Sequence, residues 1–127
     1  MLVEDDRATR EMFDYALRIS GFSVSAHRDG FVALRSIEQQ LPDVIVVDLD
    51  LPQVSGIDVV QEIVSHAETR AIPIIVVTGT NWHPPEGVFR TLRKPIASDV
   101  LIAVVERALC HVTEQAGADA AHRPTEQ

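Results

Sequence analysis

Several side chains that could do chemistry lie far apart in the sequence, most of them directly after short apolar runs. They are Glu4, Asp5, Asp6, Asp48, Thr78 and Lys94. If the runs are strands of a parallel sheet, their carboxyl ends share one rim, and these groups meet in one crevice. Crowded carboxylates repel one another unless a cation joins them. The sequence therefore predicts a divalent metal site at one end of a sheet.

The remaining groups of this set suit a phosphoryl group. Asp48 ends the most apolar run, Val44–Val47, and must emerge at the rim because burying an unpaired carboxylate is too costly. Mg²⁺ prefers oxygen ligands, binds through one or two carboxylates and accepts phosphate oxygens. The Thr78 hydroxyl could donate to one phosphoryl oxygen, and Lys94 could neutralise another. We therefore predict attack by Asp48 on a phosphoryl donor.

Strand and helix patterns alternate along the chain, and these elements must position the site. We predict strands at 1–3, 22–26, 44–47, 74–77 and 88–92, and helices at 7–20, 31–40, 57–68 and 98–112. Alternation of this kind indicates parallel strands joined by right-handed crossovers, so a small doubly wound α/β domain is expected. Residues 1–112 form the domain, and the polar, aperiodic residues 113–127 are expected to be a disordered tail.

The length, net charge and cysteine content of the chain exclude several classes of function. A length of 127 residues indicates one domain, and the net charge of −8 argues against nonspecific binding to nucleic acid or an anionic membrane. The single cysteine, Cys110, excludes an internal disulfide and fits a reducing compartment. The sequence contains no pattern typical of a membrane span or signal peptide. We therefore expect a cytoplasmic protein.

Five short motifs, in order, resemble the receiver domain of bacterial two-component response regulators. They are Glu4-Asp5-Asp6, Asp48-Leu49-Asp50-Leu51-Pro52, Ser55-Gly56, Val77-Thr78-Gly79 and Lys94-Pro95. The resemblance covers about residues 1–112. It implies a flavodoxin-like, five-stranded parallel sheet of order 2-1-3-4-5.

The resemblance also implies roles for these residues. Asp48 would be the phosphoacceptor for a histidine kinase or phosphotransfer protein, with no catalysis beyond phosphorylation and autodephosphorylation at that residue. Thr78 would be the switch hydroxyl, and Lys94 the phosphate-sensing cation before a cis proline. The implied Mg²⁺ ligands are Asp5, Asp6, Asp48 and the backbone carbonyl of Asp50.

The chain departs from the family pattern at two places. Thr91 stands where the family usually has an aromatic residue, three positions before the lysine. The interval from Thr78 to Lys94 is short and contains Pro84-Pro85, so the fourth helix is expected to be reduced or missing. In the same interval, Trp82-His83 is either a plain exposed loop or an anchor for a partner.

Two other functions remain open from the sequence. The altered fourth-helix region would suit a pseudo-receiver that acts only as an interaction module. A phosphatase of the haloacid dehalogenase type also uses an aspartyl phosphate, but places its acidic metal pair after the lysine, whereas here Asp5 and Asp6 come first. Asp50 is either simply solvated or adjusts the lifetime of the phosphoryl group. The downstream target is not indicated.

Overall fold

The computed structural model describes residues 1–79 and 85–122, with side chains as far as Glu114. Its strands are β1 (Leu2–Val3), β2 (Ala26–His27), β3 (Ile45–Asp48), β4 (Ile74–Thr78) and β5 (Arg90–Arg93). Its helices are α1 (Arg7–Ile19), α2 (Gly30–Gln39), α3 (Gly56–Ser65) and α4 (Ser98–His122). Strand and helix alternate as far as β4, as the sequence pattern predicts.

All five strands belong to one parallel sheet of order β2-β1-β3-β4-β5. The predicted doubly wound α/β class and strand order are therefore confirmed. Val3 pairs with Val47 across β1 and β3, and Asp48 pairs with Val77 across β3 and β4. This register brings the carboxyl ends of the three central strands to the same level.

The two faces of the sheet carry separate apolar cores, as expected for strands that are buried on both sides. Val47 and Val76 pack in a cluster with residues of α2 and α3. Val46 and Ile75 pack in a second cluster with residues of α1 and α4. Alternate residues of β3 and β4 thus anchor opposite layers, which holds the carboxyl ends of these strands in place.

The second strand is shorter and later than predicted. The apolar run 22–26 suggested a strand over its whole length, but β2 contains only Ala26 and His27. Its partner β1 has two residues, so only Leu2 and Val3 are available to pair with it. Phe22 and Val24 still pack against the core beside α1 and α4.

The last helix is longer than predicted, because α4 continues to His122 where the sequence suggested an end near 112. Residues 113–122 were expected to be disordered. They contain four alanines, and alanine has the highest helix propensity of all residues. Residues 123–127 lie outside the described part of the chain.

The connection between β4 and β5 agrees with the predicted loss of the fourth helix. Its described residues, 79 and 85–89, contain no helix. Trp82 and His83 lie in 80–84, outside the described residues. Within the described ranges, no helix is both long and apolar enough to cross a membrane.

The contacts of Ser55 and Gly56 explain why this motif follows β3. Ser55 caps α3 by accepting a hydrogen bond from Asp58 N at 3.1 Å. A Cβ on Gly56 would stand 2.2 Å from the carbonyl oxygen of Asp48 and 2.4 Å from the Cα of Leu49. The start of α3 therefore packs directly on the backbone of the strand end.

We expect Gly56→Ala to lower the free energy of unfolding by about 1–3 kcal/mol, because the added methyl group must displace backbone atoms. Urea denaturation measures this. The matched control is Gly79→Ala, where no atom of the described part of the chain lies within 4 Å of the added Cβ. A Gly56→Ala variant as stable as the parent chain would show that this contact can relax freely.

Candidate functional site

Two carboxylates end neighbouring strands of the sheet. Asp48 is the last residue of β3, and Glu4 directly follows β1. Because Val3 pairs with Val47, the next residue of each strand lies beside the other. Glu4 is 2% exposed and Asp48 is 4% exposed. The sheet thus holds two buried acidic side chains at one rim.

Lys94 joins these two carboxylates. Its Nζ lies 2.7 Å from Glu4 Oε1 and 2.9 Å from Asp48 Oδ2. The lysine directly follows β5, and its backbone N–H donates to the carbonyl oxygen of Thr78 at 2.9 Å. One ammonium group therefore faces two carboxylates, and the crevice keeps an excess of negative charge when both are ionised.

Burial and mutual contact shift the pKa values of these groups. Burial raises the pKa of Glu4; the hydrogen bond from Lys94 lowers it and the nearby Asp48 raises it, with a net upward shift. Burial lowers the pKa of Lys94, but the hydrogen bonds to Glu4 and Asp48 raise it more, so its net shift is upward. Lys94 therefore stays positively charged, whereas the surroundings of Glu4 disfavour its ionised form.

The loop after β3 sets the orientation of Asp48. Its Oδ1 accepts a hydrogen bond from Asp50 N at 2.9 Å, while Oδ2 faces Lys94. The side chain of Asp50 is exposed. One carboxylate oxygen of Asp48 is thus bound by the loop after β3 and the other by Lys94. The end of β3 sets the position of this side chain.

Asp6, one of the predicted metal ligands, has its side chain engaged in a helix cap. It is the N-cap of α1, and its Oδ2 accepts hydrogen bonds from Thr9 N at 2.9 Å and Thr9 Oγ1 at 2.6 Å. These bonds lower the pKa of Asp6. The structure brings Glu4, rather than Asp6, beside Asp48. The position of Glu4 directly after the strand was the signal in the sequence that could have identified it.

Thr78 lies where the sequence predicted it. It ends β4, next to β3 in the sheet, and is 3% exposed. Thr91 lies on β5 and pairs with Val76. The hydroxyl of Thr78 and the ammonium of Lys94 are thus presented by the two strands that continue the sheet beyond Asp48.

The donor set of the crevice suits Mg²⁺. No three His, Cys, Asp or Glu side chains within the described residues lie close enough to hold a metal by themselves. Mg²⁺ needs only one or two carboxylates, and water and phosphate complete its shell. Asp48 and Glu4 lie in the crevice, and Asp5 and the carbonyl of Asp50 belong to the loops that follow β1 and β3; these are the hard oxygen donors that could hold such an ion.

Comparison with known proteins agrees with this geometry. Residues 1–106 match the family described as the response regulator receiver domain. The chain therefore belongs to the response regulator receiver family. The motifs on which the resemblance in the sequence depended lie at the ends of β1, β3, β4 and β5 and in the loop before α3.

Two curated relatives have similar sequences. Response regulator MprA of Mycobacterium sp. (strain KMS) is 30% identical over 125 residues, which cover 94% of this chain and 54% of that protein. Polar-differentiation response regulator DivK of Brucella anthropi is 36% identical over 78 residues, covering 61% of this chain and 63% of that protein. The chain thus spans about half the length of the MprA relatives that it matches.

Solved structures share the fold. A receiver domain of a signal transduction histidine kinase from Syntrophus aciditrophicus superposes with a TM-score of 0.78 at 25% identity, covering 87% of this chain and 89% of that one. Chemotaxis response regulator CheY4 of Vibrio cholerae gives a TM-score of 0.77 at 26% identity, covering 85% and 95%.

The raised pKa of Glu4 predicts a pH dependence. A carboxyl with a raised pKa in the folded state keeps its proton after the unfolded chain has lost it, so its stabilising contribution is lost as the pH rises. We expect the stability of the parent chain relative to Glu4→Gln to fall as the pH rises above 4.5, the ordinary pKa of this group. Urea titrations in EDTA at several pH values measure this difference.

The matched control for this series is Glu11→Gln. Glu11 forms an exposed pair with Arg7, so its exchange should give no such downward trend. A free energy of unfolding of the parent chain that rises with pH relative to that of Glu4→Gln would contradict the raised pKa assigned to Glu4.

Proposed function

We propose that this domain takes a phosphoryl group from a histidine kinase or phosphotransfer protein onto Asp48, with Mg²⁺ bound at the acidic rim. The observation that supports it most is the position of Asp48: buried at the end of β3 and hydrogen-bonded to Lys94. A carboxylate so placed is aligned for attack, and its environment is arranged for negative charge.

The proposed reaction needs one bond to form and one to break. A carboxylate oxygen of Asp48 attacks the phosphorus of a phosphohistidine, and the bond from phosphorus to the imidazole nitrogen breaks. The released imidazole recovers a proton from solvent. Lys94 neutralises a phosphoryl oxygen, and the bound metal would offset the charge on another. Later attack by water on the phosphorus restores the free carboxylate of Asp48.

The proposed switch uses the neighbouring strand ends. A phosphoryl group on Asp48 competes with the carboxylates for Lys94, and the Thr78 hydroxyl can donate to it. Thr78 ends β4 and Lys94 directly follows β5, so the surface formed by these two strand ends would then depend on phosphorylation. Because Thr91 replaces the usual aromatic residue, the output has to use another side chain of this surface. A downstream protein would read that surface.

The setting of this reaction is also part of the proposal. We place it in the cytoplasm, where histidine kinases deliver their phosphoryl groups, and we propose that the domain contacts neither nucleic acid nor membrane directly. The net charge of −8 supports this. A pure interaction module is the second candidate, favoured by Thr91 and by the shortened connection between β4 and β5.

Replacing the proposed nucleophile tests the function. We expect Asp48→Asn to abolish labelling by acetyl phosphate and Mg²⁺, because the amide keeps the shape of the side chain but cannot form the acyl phosphate. Intact mass spectrometry measures the added phosphoryl group. The matched control is Asp50→Asn, the same exchange two residues away on an exposed side chain, which should still be labelled.

Four outcomes discriminate between the candidates. Labelling of the parent chain and of Asp50→Asn alone supports the proposal. A label that persists on folded Asp48→Asn would reject this residue as the acceptor. A parent chain that takes up no phosphoryl group would favour the interaction module, and rapid turnover of small phosphate esters would favour a phosphatase.

A further inference from the structure

Arg10 makes an unusual contact with the loop between β1 and α1. It lies in the first turns of α1, and its Nη1 turns back to this loop. The nitrogen donates hydrogen bonds to the carbonyl oxygen of Glu4 at 3.0 Å and to that of Asp5 at 3.1 Å. The loop has only three residues, 4–6, between the strand and the helix. One guanidinium therefore binds two of the three carbonyl groups of this loop.

These two carbonyls belong to the peptide groups on either side of Asp5. Each peptide group is planar, so holding both of them restricts the φ and ψ angles of Asp5 and thereby the direction of its Cα–Cβ bond. The side chain of Asp5 is exposed, whereas the carboxylate of Glu4 is held by Lys94 and that of Asp6 by Thr9. The placement of the Asp5 carboxylate therefore depends chiefly on its backbone.

We propose that Arg10 is a positioning residue for the divalent metal: it holds residues 4–6 so that the carboxylate of Asp5 is oriented for binding before the metal arrives. The inference rests on the proposed function, since it takes Mg²⁺ as the ion at this rim. Partners that orient a metal ligand typically change metal affinity by 10–100-fold when they are replaced.

The charge of Arg10 acts in the opposite direction. A positive group close to the acidic rim repels Mg²⁺, so removing it alone should tighten binding. Lysine keeps the charge but lacks the planar, multiply donating guanidinium. Arg10→Lys therefore isolates the positioning effect, and Arg10→Gln removes the charge as well.

Isothermal titration of the full chain with Mg²⁺, without a phosphodonor, tests this proposal. We expect Arg10→Lys to raise the Kd roughly tenfold. The matched control is Arg18→Lys, because Arg18 also lies on α1 and also donates to a backbone carbonyl, that of Val24 at 2.7 Å, but far along the chain from the rim residues. An Arg10→Lys variant that binds Mg²⁺ like the parent, with tighter binding by Arg10→Gln, would overturn the proposal in favour of charge alone.

A double-mutant cycle shows whether Arg10 acts through Asp5. In an Asp5→Asn background the tenfold effect of Arg10→Lys should largely disappear, since the oriented carboxylate is gone. Persistence of the full effect would overturn the proposal. A parent chain that binds no Mg²⁺ would reject the metal of the proposed function itself, which separates the two failures.

Amide hydrogen exchange supplies a readout without metal. In Arg10→Lys the amides of residues 5 and 6 should exchange faster, while those in the middle of α1 and in β3 stay as protected as in the parent chain. Uniformly faster exchange over the whole domain would show a general loss of stability and would contradict a local positioning role.

Discussion

One ammonium group shared by two buried carboxylates is the interaction on which the rest of this site depends. Lys94 lies within 2.9 Å of an oxygen of Glu4 and of Asp48. A buried cluster of charged groups gains Coulomb attraction but loses hydration, so it is weak evidence for a contribution to stability. It is better evidence for a functional role. A single positive charge cannot balance both carboxylates. In the proposed function, this imbalance would give the crevice an affinity for a divalent cation, and a phosphoryl group would compete with the carboxylates for the lysine.

Strand pairing and helix packing bring the charged groups of the site together. Parallel pairing of β1 with β3 sets Glu4 beside Asp48, and the apolar residues of the central strands anchor layers of helices on both faces. The start of α3 packs on the carbonyl of Asp48 so closely that only glycine fits at position 56. The short loop after β1 is held by the Arg10 guanidinium. Packing and hydrogen bonds of this kind at the strand ends favour a site whose groups are held by the scaffold.

Much of this arrangement could be predicted from the sequence, because strongly apolar runs such as Val44–Val47 identify buried parallel strands and their ends. Asp48, Thr78 and Lys94 were placed correctly at the rim. The choice between neighbouring acidic residues was harder, since it depends on register: Glu4 enters the crevice, while Asp6 caps a helix. The length of β2 depends on the length of the strand with which it pairs. The end of α4 depends on the helix propensity of residues that show no apolar periodicity. Neither could therefore be predicted from the hydrophobic periodicity.

The measurement that tests the central claim most directly is the free energy of unfolding of the unmodified chain as a function of Mg²⁺ concentration, at constant ionic strength maintained with NaCl. An ion that binds only the folded state should raise this free energy with the logarithm of its concentration, by about 1.4 kcal/mol at ten times the Kd. We predict that rise. A free energy of unfolding that stays constant over millimolar concentrations of Mg²⁺ would contradict the claim. It would show that the two strand-end carboxylates that share one lysine do not bind a further cation.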